Sequence, residues 1–77
     1  SGGTLFTYTT RTGSATGSPL AGVKVWITSD LAGDVIIAGP QTSDSLGETN
    51  WMLSSGTIYI WRQLRGYTFT DPDTETV

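Results

Sequence analysis

The fold class this sequence predicts is all-β, a seven-stranded antiparallel β-sandwich, and three observations carry that expectation. Short stretches alternate apolar and polar residues with a period of two, and Gly, Pro, Asp and Ser separate them at regular intervals. No window places apolar residues at helical spacing. In the 77-residue chain 36% of residues are apolar and 14% charged, and Thr, Ser and Gly are plentiful, the balance of a strand-and-turn protein.

The strands follow in chain order. Residues 4–11, T-L-F-T-Y-T-T-R, alternate with strand period, and the turn-rich T-G-S-A-T-G-S-P comes next. Residues 22–28, G-V-K-V-W-I-T, put Val23, Val25 and Ile27 on one face and Lys24, Trp26 and Thr28 on the other. After a turn at Ser29 to Gly33, a third strand over 34–38 is expected to stop near Gly39-Pro40, because proline cannot donate to a central ladder. Residues 41–47 read as loop. The fourth strand, 48–53, has Thr49, Trp51 and Leu53 on one face and Asn50 and Met52 on the other. In the fifth, 57–63, Ile58 and Ile60 oppose Tyr59 and Trp61. A sixth short strand is expected at Tyr67 to Thr70, and a seventh begins at Thr74 beyond the turn Asp71-Pro72-Asp73. Gly47, Gly56 and Gly66 read as turn glycines.

This parity predicts a core of Val23, Val25, Ile27, Trp51, Leu53, Ile58 and Ile60, joined by Phe6 and Tyr8 and by Tyr67 or Phe69. A chain of this length forms one domain, over 4–77, and buries only about 60–65% of the surface its unfolded form exposes. Residues 1–3 read as a linker or a remnant, and the domain as a piece of a longer chain.

Charge and composition exclude several function classes. Four Lys and Arg against seven Asp and Glu give a net charge of -3, which offers no footprint for nucleic acid. No apolar run reaches the roughly 18 residues that span a bilayer, so no membrane insertion is expected. The chain lacks Cys and His, and with them the common nucleophile-and-base pairs. Asp30, Asp34, Asp44, Glu48, Asp71, Asp73 and Glu75 all fall in or beside turns, where solvation and turn chemistry account for them better than paired-acid catalysis. Asp71-x-Asp73-x-Glu75 offers oxygen ligands without the spacing of a calcium loop. The expectation is therefore no enzyme, no metal and no cofactor.

The series S-P-L-A-G-V-K-V-W-I at 18–27, T-S-D-S-L-G-E-T-N-W-M-L at 42–53 and S-G-T-I-Y-I-W-R-Q-L-R-G-Y-T-F at 55–69 resembles carboxypeptidase-regulatory-like and collagen-adhesin B-type domains. The resemblance implies a prealbumin-like (transthyretin-like) sandwich, immunoglobulin-like in architecture. Some collagen-adhesin B-type domains form an internal Lys–Asn isopeptide bond promoted by a buried acid. Here the position matching that acid is Arg62, and Lys24 lies opposite the core face, so the bond is not expected.

The resemblance further implies that the second, fourth and fifth strands share one sheet. Lys24, Trp26, Met52, Tyr59 and Trp61 would then form one outward surface, an apolar patch that a small monomer rarely leaves bare. A neighbouring domain or subunit of the same assembly is its first expected cover, and a carbohydrate stacked on the rings, flanked by Lys24, Asn50 and Arg62, its second. Two plainer accounts stand beside these: a ladder that only stabilises cross-strand pairs, or a reversal of the two faces. The function expected is that of a structural or assembly module in a larger extracellular, cell-surface or virion protein. The alternative is a carbohydrate-binding module.

Overall fold

The computed structural model describes residues 3–12 and 17–77. Six strands form among them: β1 (Thr4–Thr9), β2 (Lys24–Thr28), β3 (Ile36–Thr42), β4 (Glu48–Leu53), β5 (Thr57–Gln63) and β6 (Asp73–Thr76). They make two antiparallel sheets, β1-β4 and β3-β2-β5-β6, facing one another as a sandwich of two strands over four.

The period-two pattern decides what meets between the sheets. Tyr8, Val23, Val25, Ile27, Trp51, Leu53, Ile58 and Ile60 are buried, and Phe6, Leu20, Ala38, Leu64, Phe69 and Val77 pack against them partly covered. Every position the alternation assigns to the core from β2, β4 and β5 is there. Of the two aromatics expected near the end of the chain Phe69 packs on the core, while Tyr67 is 51% exposed.

Most of the polar side chains inside are paired, as burial demands, with Thr10 Oγ1 the exception among the described residues. Ser43 Oγ accepts from Val23 N–H at 2.9 Å and donates to Leu20 O at 2.7 Å, fixing the chain where it enters β2. The Trp51 indole N–H donates to Thr49 Oγ1 at 2.9 Å, and Tyr8 OH donates across the sandwich to Asp73 Oδ2 at 2.7 Å. Burial first, and this bond second, push the Tyr8 hydroxyl well above its ordinary pKa.

Gly47 closes the turn into β4. Its φ is +76°, and a Cβ there would stand 2.6 Å from Thr10 O, so both conformation and space require glycine. Asp44 Oδ1 accepts from Leu46 N–H and Glu48 N–H, each at 2.9 Å, holding the same turn from its other side.

Three expectations change. The third strand begins at Ile36 and runs through Gly39-Pro40 to Thr42. It pairs only with β2, and an edge strand tolerates a proline that a central one would not; its register shifts between Val25 and Ile27 and again between Ile27 and Thr28. Tyr67 to Thr70 forms no strand. The Arg62 side chain occupies that segment instead, donating to Thr70 O at 2.7 Å and to Asp71 Oδ1 at 3.0 Å while its guanidinium lies 5.2 Å from the Phe69 ring. The third change concerns β4. It pairs with β1, in register from Thr4↔Leu53 to Thr9↔Glu48, and so lies in the opposite sheet from β2 and β5.

Candidate contact surface

β2 and β5 are central neighbours, and their register sets Trp26 directly opposite Trp61 and Thr28 opposite Tyr59 on the outer face. The two indoles stack at 6.4 Å between centroids, with 10° between their planes. Lys24 Nζ lies 5.9 Å from the Trp26 ring centre, within reach of a cation–π contact. Lys24, Trp26, Tyr59 and Trp61 therefore share one face, as the alternation requires.

Met52 does not join them. Its parity is outward as expected, but β4 belongs to the two-stranded sheet, so Met52 faces solvent on the far side of the molecule opposite Leu5, both 65% exposed. Asn50 goes with it. Arg62 leaves the surface for a different reason, since it stands opposite Val25 and its guanidinium closes one end of the sandwich against Asp71.

Trp61 is not bare either. Its indole N–H donates to Thr28 Oγ1 at 2.8 Å, and the Thr28 hydroxyl donates in turn to Asp30 O at 2.8 Å. Gly33, with φ +82°, lies directly on the ring, where a Cβ would stand 2.7 Å from a ring carbon. This loop is shaped by Asp30, whose carboxylate accepts from Val35 N–H and Asp34 N–H at 2.9 Å each. Those backbone bonds hold the Asp30 carboxyl below the usual carboxylate range. The loop between β2 and β3 thus packs on Trp61, and both indoles are half-buried.

Around Trp26 the structure gathers residues that strand assignment alone did not place. Ile36, Pro40, Lys24 and Gln63 line a shallow groove with it. Ile36 is 59% exposed there, and Leu31 and Val35 in the preceding loop are exposed as well. In the sequence, 34–38 reads as a strand, with Val35, Ile36 and Ile37 assigned to neither face. The one available signal is Pro40, which marks this strand as an edge whose side chains have fewer neighbours to bury them.

The acidic triplet Asp71, Asp73 and Glu75 is spread out: Asp71 pairs with Arg62, Asp73 accepts from Tyr8, and Glu75 stands opposite Ile58. No group of three metal-ligating side chains gathers among the described residues. Among the described residues no helix is long and apolar enough to cross a membrane. No family model matches the chain, and no curated protein or solved structure matches it.

Proposed function

We propose that this domain is a non-catalytic assembly module whose outer β3-β2-β5 face docks against a neighbouring domain or subunit. The observation that carries this reading is Trp26, half-buried in a groove with the exposed Ile36 and Pro40. A partly covered aromatic ringed by aliphatic side chains suits an anchor in a protein interface, where such residues contribute most when water is excluded around them. The setting proposed is extracellular, cell-surface or virion, and the finer fold proposed is prealbumin-like; the motif resemblance supports both.

The second reading is a carbohydrate-binding module. The near-parallel Trp26 and Trp61 rings, with Lys24 and Gln63 beside them, support it. Against it stand the covered Trp61 and the aliphatic rim, which supplies no hydrogen bonds to sugar hydroxyls.

Replacing Trp26 by Ser separates the two. In the full-length parent or its assembly, Trp26→Ser and Ile36→Ser are each expected to weaken association by about 2 kcal/mol or more. Loss of glycan binding with Trp26→Ser, and no effect of Ile36→Ser, would select the sugar platform. Unchanged assembly together with no glycan binding would leave the tryptophan pair as a stabiliser of cross-strand packing.

A further inference from the structure

The four strand edges of this sandwich are not alike. The free edge of β4 is occupied by a side chain: Gln41 Nε2 donates to Asn50 O at 2.7 Å, and Asn50 N–H donates to Gln41 Oε1 at 3.3 Å. β3 is interrupted by Pro40 and by its register shifts. β6 is four residues long, follows Pro72 and carries Asp73 and Glu75. Each of these is a recognised way of blunting an edge. β1 has none of them: T-L-F-T-Y-T holds no charge, no proline, no glycine and no bulge, and among the described residues β4 is its one neighbour.

The direction of its backbone groups follows from the Gln41 bridge. Asn50 aims its N–H and C=O at Gln41, away from β1, and Thr7 stands opposite Asn50 in register. In an antiparallel ladder both members of such a pair point away from each other, so Thr7, and with it Leu5 and Thr9, present N–H and C=O groups to the free side.

Beside that edge the wider sheet continues. Tyr8 reaches Asp73 on β6 by its full side-chain length, and β6 turns Glu75 inward opposite Ile58. Glu75 is partly buried and makes no hydrogen bond or ion pair among the described residues. Burial first, and Asp73 second, raise its pKa. A third strand in the narrow sheet would lie over this position. A second copy's β1, T-L-F-T-Y-T, carries no cation to set against these acids.

We propose that the free edge of β1 binds an extended segment of a partner protein by strand addition, a lysine or arginine of that segment facing Asp73 and Glu75. Main-chain bonds to Leu5, Thr7 and Thr9 hold the segment, and the inward cation sets its register. This surface is separate from the Trp26 groove and stands without it.

The test uses a capped synthetic heptapeptide, Thr-Val-Thr-Lys-Thr-Val-Thr, and its counterpart with Glu in place of Lys, followed by amide hydrogen exchange and NMR titration. Saturable binding that slows exchange at Leu5, Thr7 and Thr9 is expected. Binding of the Glu peptide should be about fivefold weaker or worse, and Glu75→Gln should shrink that difference. Thr7→Pro, which removes an N–H that β4 does not use, should abolish binding while the fold persists. Trp26→Ser should leave binding intact, which keeps this result distinct from the fate of the tryptophan face. Unchanged exchange at the three amides with millimolar peptide, wild-type binding by Thr7→Pro, or protection of those amides by self-association alone would each overturn the proposal.

Discussion

Ile60 has no exposed surface and packs with Ile27, its cross-strand partner, against the two-stranded sheet. So small a core has little capacity to collapse around a void, and Ile60→Ala should cost about 2–5 kcal/mol, read as a fall in denaturant midpoint. Titration offers a second test. Glu75 has a raised pKa in the folded chain, so the folded state holds its proton more tightly than the unfolded state does. Its favourable contribution is therefore present below the ordinary glutamate range and is lost as pH rises through the raised folded value. Glu75→Gln should raise the denaturant midpoint near neutral pH and lose that advantage in acid. Asp30 runs oppositely: its pKa is lowered by the loop amides, so its contribution is present above the ordinary aspartate range and is lost as pH falls through the folded value. Asp30→Ala should thus lower the midpoint at neutral pH and matter less in acid.

Among the elements, β2, β4 and β5 were legible because each has one face for the core and one for elsewhere, and a period of two records that directly. Which strand lies beside which is a property of distant partners. Nothing local in E-T-N-W-M-L distinguishes a neighbour in β1 from one in β5, so the outward parity of Met52 is legible and its sheet is not. The segment 67–70 carries strand-forming residues, yet a side chain from β5 takes Thr70 O and Asp71. Local propensity contains no account of Arg62. The loop between β2 and β3 likewise reads only as a turn, although it packs on Trp61. Thr28→Val keeps the branched shape and removes the acceptor from the Trp61 indole and the donor to Asp30 O. It should cost about 1–3 kcal/mol and change tryptophan fluorescence in the native state. Gly33→Ala forces a methyl group into the Trp61 ring at positive φ, and should expose that ring by lifting the loop.

For the whole molecule, the buried residues form one cluster contributed by both sheets, so the domain should unfold and refold in a single cooperative step. Chelator should leave its melting temperature unchanged. A rise of several degrees on adding Ca²⁺ would instead assign the acids of 71–75 a ligand role. The pairing at one pole bears on how the module responds to load. Thr4 is paired with Leu53, and Val77 exchanges both backbone hydrogen bonds with Gly56, at 2.9 and 3.2 Å, only three residues further on. Tension applied between residues 4 and 77 thus enters at a single pole and from two different sheets. It opens Thr4↔Leu53 on one side and Val77–Gly56 on the other one rung at a time, like a zip, instead of loading a whole ladder in shear. A domain pulled at these two points should yield at low force and not resist as a sheared ladder would.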